Sequence, residues 1–523
     1  MAYQPIENYG IVGDLHTVAL VGMNGSIDFL CLPGFDSPSV FAALLDDKKG
    51  GRFRIAPTFE DVRKKQLYLP DTNVLLTRFL SEDGVAEIID FMPIDEGAAV
   101  HDLVRRVKTV RGEVRFRMIC DPRFDYGRAS HKALPVDGGI VFRSEGKDGM
   151  TLRLRSGTPM DVRNGAGFAE FTLRSGETAD FILEPADDGA VSLPAADEAV
   201  SVALEKTVNY WRRWIGRANY QGRWRDMVNR SALTLKLLFS QRHGSLVAAP
   251  TFGLPERIGG ERNWDYRYVW IRDSAFTLHA LGELGYTNEA RAFMRWLEEC
   301  VHLAAKDREN GPLQVMYGLD GRSKLTEEIL PHFEGYRGSS PVRVGNGAYD
   351  QLQLDIYGEL LDAIYIFNRY GQPIGYELWN ELVLLVNWVT ENWRKPDEGI
   401  WEVRGGRDEF LYSRLQCWVA IDRAVRIAMN RSFPAPLDHW IKARDTIYRD
   451  IYENFWNKGK GAFIQYRGTD AVDASSLLMP IAKFISFGDR RWTSHMKAVE
   501  DELVEDSLTY RYRMGKGASD GLD

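Results

Sequence analysis

From Tyr9 to about Pro185, apolar and polar residues alternate with a period of two, in short runs broken by turn dipeptides, and this pattern predicts strands. The clearest hairpin runs from His16 to Leu32, where Thr17–Val21 and Ser26–Leu30 flank Asn24-Gly25, the pair favoured in tight primed turns. Further alternating runs cover Val74–Leu80, Val104–Cys120, Gly139–Ser144, Met150–Arg155, Phe168–Leu173 and Asp180–Glu184. Short strands at this regular spacing predict an N-terminal β-sandwich over residues 1–190.

The pattern changes after Ala186-Asp187-Asp188-Gly189. Ala195–Trp214 reads as a helix with Val200, Leu204, Val208 and Trp211 on one face, the linker helix of a segment 191–222. From about Trp224 the period is 3.6 residues, and helices are predicted near 224–242, 272–285, 288–305, 346–370, 374–394, 408–430, 435–456, 471–486 and 489–504. Short turns such as Gly285-Tyr286-Thr287 and Tyr370-Gly371-Gln372-Pro373 imply antiparallel helix hairpins. Two connections, 243–271 and 306–345, are far longer and rich in Gly, Pro, Arg and aromatics, and long loops on a helical scaffold are where function concentrates. Residues 223–523 are therefore expected to form the functional helical domain.

Composition narrows the chemistry. Aromatics make up 12% of the 523 residues, with 14 Trp and 22 Tyr, a surplus suited to a ligand with apolar faces such as a sugar. A net charge of −8 gives no electrostatic footprint for nucleic acid or an anionic membrane, and a homo-oligomer is compatible with it. Cys31, Cys120, Cys300 and Cys417 are far apart in sequence and read as free buried thiols. The start has neither a basic nor an apolar targeting segment, and no long uncharged apolar run follows, so a soluble cytoplasmic protein is expected.

Pro396-Asp397-Glu398-Gly399-Ile400-Trp401-Glu402-Val403-Arg404 is the stretch with the sharpest chemistry. A carboxyl next to an indole stands against a partly apolar wall, which favours the protonated form that can donate to a leaving oxygen, so Glu402 reads as a catalytic acid. Trp393, Tyr412, Trp418, Arg404, Arg407 and Arg414 are near in sequence and supply aromatic faces and guanidinium forks for a carbohydrate. Asp397 and Glu398 are equally well explained as turn and helix-start acids, with Trp401-Glu402 on a loop over the core.

Arg262-Asn263-Trp264-Asp265-Tyr266-Arg267-Tyr268-Val269-Trp270-Ile271-Arg272-Asp273 closes the first long loop and is too charged to enter an apolar core unpaired, so a polar pocket is expected there. Asp273 also reads as a helix N-cap, a role compatible with sugar binding. In the second loop, His332 reads as a structural histidine; no metal-ligand spacing accompanies it, and Gly335-Tyr336-Arg337-Gly338 fits neither a phosphate loop nor a dinucleotide loop. No catalytic metal and no cofactor is expected.

With Gly335-Tyr336-Arg337-Gly338 and Ile400-Trp401-Glu402, that loop motif and the order sandwich, linker helix, helical domain resemble glycoside hydrolase family 15, the glucoamylases, glucodextranases and bacterial-type trehalases. The resemblance runs from Ile6 to the last residue. It implies an (α/α)6 barrel and an inverting attack of water on an α-glucosidic bond, with Glu402 as general acid, Arg272 and Asp273 gripping glucose hydroxyls, and Tyr266 and Trp270 walling that subsite. It further implies roles for Tyr336 beside the acid, for Trp401, and, by a weaker transfer, for Arg343. Fungal members carry a second glutamate where Val403 stands, which puts the leaving-group subsite in question.

Inversion needs a second carboxylate about 6.5–9.5 Å from the first. In this family it lies near the C-terminus, whereas the chain closes on the loop-like Gly517-Ala518-Ser519-Asp520-Gly521-Leu522-Asp523 after about the ninth helix. About three helices of the ring, and the base with them, are expected beyond Asp523, and a chain stopping there is expected to be inactive. The leading expectation is an α-glucosidase releasing glucose from the non-reducing end of α-glucans. The rivals are a trehalase, a phosphorylase of the same architecture and a sugar-binding protein without turnover.

Overall fold

One nineteen-residue strand, Leu103–Asp121, belongs to two sheets at once, and the N-terminal half of the protein is built around it. The computed structural model describes residues 3–94, 101–147, 149–186, 197–302, 311–370 and 373–513. In chain order the strands are β1 (Tyr9–Gly13), β2 (Val18–Gly22), β3 (Ser26–Cys31), β4 (Ser39–Phe41), β5 (Arg52–Pro57), β6 (Arg63–Tyr68), β7 (Leu75–Leu80) and β8 (Gly84–Phe91). They continue as β9 (Leu103–Asp121), β10 (His131–Val136), β11 (Gly139–Ser144), β12 (Thr151–Ser156), β13 (Asp161–Arg163), β14 (Ala166–Arg174) and β15 (Thr178–Pro185).

The first half of β9 pairs antiparallel with β8 and β15, and the second half pairs with β14 and β5. The change of sheet falls at Gly112, whose φ of +81° and close approach to the Asp83 carbonyl oxygen leave no room for a side chain. Between the sheets lies one continuous core, with Phe53, Ile55 and Phe116 from one side and Ile88, Phe142 and Leu154 from the other. The predicted hairpin forms as β2 and β3, with Gly25 at φ +77° in its turn. β6, Arg-Lys-Lys-Gln-Leu-Tyr, carries no sequence signal because it is a mostly exposed edge strand with nothing to alternate against.

The linker helix appears as α1 (Asp197–Ile215), which lays Val200 and Ala203 on Val74, Phe91, Val104 and Ile182, the outer face of the second sheet. Residues 187–196, including the change of composition at Asp187-Asp188-Gly189, lie outside the described residues. α2 (Arg225–Leu237) ends before the expected 242 and is tied to the sheet: Asn73 Nδ2 donates to the Leu233 carbonyl at 3.0 Å, and Arg230 Nη1 to that of Thr72 at 2.7 Å. By packing, the chain forms two units, Met1–Tyr268 with Glu327–Gly345, and Val269–Thr326 with Asn346–Asp523.

The second unit is helical: α3 (Ile271–Glu283), α4 (Thr287–His302), α5 (Asp355–Tyr370), α6 (Tyr376–Asn392), α7 (Leu411–Arg431), α8 (Leu437–Asn454) and α9 (Arg490–Leu503). α3, α5 and α7 pack side by side as an inner row, and α4, α6 and α8 stand outside them, the alternation of an (α/α) barrel. α7 is buried along nearly its whole length, which its polar residues survive by pairing, as Arg423 does with Asp362 at 2.6 Å and Asp422 at 2.8 Å. Among the described residues no helix is long and apolar enough to cross a membrane.

Two helix expectations are corrected. Residues 346–354 are not helical beyond a short 3-10 turn at Gly347–Asp350, and the alternation in Gln351-Leu352-Gln353-Leu354-Asp355 has the period of an extended segment. Residues 471–486 form only the 3-10 turn Ala474–Leu478: Asp473 caps it by accepting the Ser475 N–H at 2.7 Å, and Pro480 cannot continue a helix. The last residues of the helix expected at 288–305, from 303 on, the turn residues Gly371 and Gln372, and the tail from Gly517 fall outside the described residues.

Candidate active site

The loop bearing Glu402 is fastened by two acids that precede it. Asp397 is fully buried and accepts the Leu354 N–H at 2.9 Å and the Ser413 hydroxyl at 2.7 Å, so it ties the approach to α5 to the first turn of α7. Glu398 accepts the Leu352 N–H at 2.9 Å and pairs with Arg407 at 2.9 Å. Gly399, at φ +67°, packs so closely on the Phe410 ring that a Cβ would lie 2.7 Å from it. Glu402 itself is held at φ +56°, a left-handed conformation that costs a non-glycine residue about 1–2 kcal/mol. That strain turns its side chain towards the start of α3.

There two donors meet it. The Trp270 indole Nε1–H donates to Glu402 Oε1 at 2.7 Å, and Arg272 Nη2 lies 3.2 Å from the same oxygen. Among the described residues no donor reaches Oε2, and the side chain keeps about a fifth of its surface exposed (22%). Arg272 is aimed by a second pair of contacts, Nη1 to Gln353 Oε1 and to Asp355 Oδ2, both at 2.9 Å. Asp355, the first residue of α5, is wholly buried. The fork of one guanidinium thus connects a buried carboxylate to an accessible one.

Asp273 is not the N-cap: α3 begins at Ile271 after Trp270, which makes no side-chain cap, and Asp273 sits exposed inside the first turn. Its carboxyl is pushed up by its crowded surroundings and by the negative charges of Glu402 and Asp355, with Arg272 opposing. Trp401 turns away from Glu402 and donates its Nε1–H to Asp473 Oδ2 at 2.7 Å. The indole beside the acid is therefore Trp270, 132 positions away in sequence, and it contributes a hydrogen bond where an apolar wall had been expected.

Behind this row, Glu359 is buried against Tyr412, whose hydroxyl donates to it, and Gln416 Nε2, at 2.8 Å. Burial, with the Asp355 charge, raises Glu359 to about 8, and burial raises Asp397 to about 7. Carboxyls raised in the folded state bind more protons than the unfolded chain between about pH 4.5 and 8, so they make stability fall as pH rises through that window. We expect melting temperature to decline from pH 5 to pH 8, and Glu359→Gln, which resembles the neutral form, to flatten the decline. Unchanged slopes in melting curves of the two proteins would refute this.

Tyr266, half-buried, and Tyr336 and Arg343, both buried, belong to the first unit. There Tyr336 donates its hydroxyl to the Gln4 carbonyl at 2.9 Å, and Arg343 meets Glu327 at 3.1 Å and lies over the Trp264 ring. Asp265 and Arg267 are a wholly buried pair at 2.7 Å, so that part of the charged motif pairs inside a core. Arg414 is sequestered too, bonded to Glu409 at 3.0 Å, and Trp418 packs on Phe484. His332 bonds the Tyr126 carbonyl at 2.7 Å, as a structural histidine would, and all four cysteines are free and buried. Gln353, Asp355, Glu359 and Asp473 escaped sequence reasoning, although the period-two run ending at Asp355 carried a signal.

Comparison with known proteins adds three findings. Residues 222–522 match the model of glycosyl hydrolases family 15, and residues 2–166 that of a trehalase-like N-terminal domain. A protein named trehalase from Thermoplasma acidophilum is 37% identical over 514 residues, 95% of this chain and 84% of the relative, and another from Mycolicibacterium smegmatis is 37% identical over 544 residues, 99% and 80%. The fold matches that of a bacterial glucoamylase crystallised with acarbose, with a TM-score of 0.69 and 14% identity over 96% of this chain and 79% of that one.

Proposed function

The chain belongs to family 15 of the glycosyl hydrolases, and on that footing we propose that it hydrolyses α,α-trehalose to glucose with inversion at the attacked carbon. The sequence had ranked α-glucans first. The trehalase names carried by relatives from Thermoplasma and mycobacteria, matched over 95–99% of this chain, support the reverse order. Val403 supports it as well: it is 2% exposed and packs with Phe410, so this position offers no carboxylate to a leaving sugar.

The observation that carries the mechanism is the convergence of Trp270 and Arg272 on one oxygen of Glu402. With Oε1 held by two donors, Oε2 is the oxygen that bears the proton and delivers it to the bridging oxygen as the C1–O bond breaks. Water adds to C1 from the opposite face and its proton passes to a second carboxylate. Asp273 and the exposed edge of Arg272 supply charge-assisted bonds to hydroxyls of the glucosyl unit.

Two measurements test the proposal. Catalytic efficiency on trehalose should exceed that on maltose by at least about a hundredfold. Proton NMR at early times should show equal α- and β-glucose, because only one of the two sugars is inverted. A preference for maltose would restore the glucan reading, and α-glucose alone would replace inversion by retention.

A further inference from the structure

The turn between β1 and β2 holds a constellation that sugar hydrolysis does not use. Asp14 and His16 lie in that turn, and His101 comes two residues before β9. One ligating atom from each lies within 4.8 Å of the other two. We propose that Asp14, His16 and His101 form a site for a divalent transition cation of the zinc class.

Each side chain is already oriented as a ligand would be. Asp14 is 3% exposed, and its Oδ1 accepts the backbone N–H groups of His16 and Thr17, both at 2.9 Å, which fixes the carboxylate and turns Oδ2 towards His101 Nδ1 at 2.7 Å. His16 Nδ1 lies 3.1 Å from the Asp14 carbonyl oxygen. A carbonyl only accepts, so that nitrogen carries the proton and Nε2 keeps its lone pair, the arrangement by which backbone carbonyls orient metal-binding histidines. The two imidazoles stand edge to face with centres 5.2 Å apart.

An ion pair between Asp14 and His101 accounts for two of the three residues, and His16 joins them through the Asp14 carbonyl and the His101 ring with its Nε2 lone pair left to a ligand. The turn is also strained to aim them: Leu15, between the two, is fully buried at φ +69°, and its carbonyl is pinned by the Gln241 N–H at 3.0 Å. Zinc bonds of about 2.1 Å in a tetrahedron separate ligand atoms by about 3.4 Å. Opening the Asp14–His101 contact from 2.7 Å to that edge requires a shift of under an ångström at His101, whose side chain is 15% exposed. The cation takes the place of the proton between Oδ2 and Nδ1, and that proton leaves to solvent.

Two nitrogens and one carboxylate exclude magnesium and calcium, which take oxygen ligands, and suit zinc with water in the fourth position. Of the charges that act on His101 from nearby, Asp102 favours a bound cation and Arg242 opposes it. The site belongs wholly to the sheet unit, so its function would be to clamp the β1–β2 turn to the strand that joins the two sheets.

The test is a zinc titration by calorimetry on the full chain after dialysis against a chelator. About one equivalent should bind with a Kd of about 10 µM or tighter, and zinc should raise the melting temperature. His16→Gln and His101→Gln should each weaken binding by at least about tenfold and abolish the thermal shift. His131→Gln, which alters another half-buried histidine of the same unit, should change neither. Circular dichroism without zinc checks that each variant folds, and His16→Gln, whose ring bonds a backbone carbonyl and no carboxylate in the described contacts, keeps the test open if His101→Gln does not. The proposal is overturned by no saturable binding, or by binding that survives either substitution in a folded protein.

Discussion

Replacing Glu402 by glutamine is expected to lower kcat on trehalose by about a thousandfold while KM stays within a fewfold. Glutamine keeps the shape of the side chain and one carbonyl oxygen. That oxygen can still accept from Trp270 at 2.7 Å and Arg272 at 3.2 Å, so the loop and its φ of +56° should persist. What disappears is the proton. The amide that replaces Oε2 is not an acid at any accessible pH, and the bridging oxygen must then leave as an alkoxide. A loss confined to kcat separates proton donation from binding, and a variant retaining turnover within about tenfold of the parent would remove Glu402 from the mechanism.

The second large effect concerns a residue that touches no sugar. Asp355→Asn should destabilise the helical unit by about 3 kcal/mol, because it takes the anion from a guanidinium that is itself buried and leaves that charge uncompensated. The wild-type contact is a 2.9 Å bond between Arg272 Nη1 and a carboxylate with no exposure. Freed from it, Arg272 should be drawn further onto Glu402, its remaining carboxylate partner, which opposes protonation of the acid. The alkaline limb of the pH–rate profile, where the general acid loses its proton, should therefore move to lower pH, and kcat should fall by about ten- to a hundredfold with little change in KM. A purely structural role predicts the lower melting temperature alone, with an unshifted pH profile in the folded fraction, and that outcome would reduce Asp355 to packing.

Local pattern determined much of this protein. Period two marked eight of the fifteen described strands of the sandwich, Asn24-Gly25 fixed its first predicted hairpin, and period 3.6 marked α1 and most of the later helices, because each of these depends on contacts between residues close in sequence. The order Trp270, Arg272, Asp273 and then Trp401-Glu402 was enough to point to a sugar-cleaving site. Tertiary structure decided how those residues divide the work. It turned Trp401 away onto Asp473, brought Trp270 across 132 positions to hold the acid, placed Asp355 behind Arg272, and buried Asp265 with Arg267 inside a core. A charged residue in the sequence looks the same whether its partner is solvent, sugar or another side chain. The partner is set by long-range packing, and each buried charge finds one because burial without it costs several kilocalories. For that reason Glu402 stands out in the chain as a candidate acid, while the residues that aim it appear only once the helices of the inner row are set side by side.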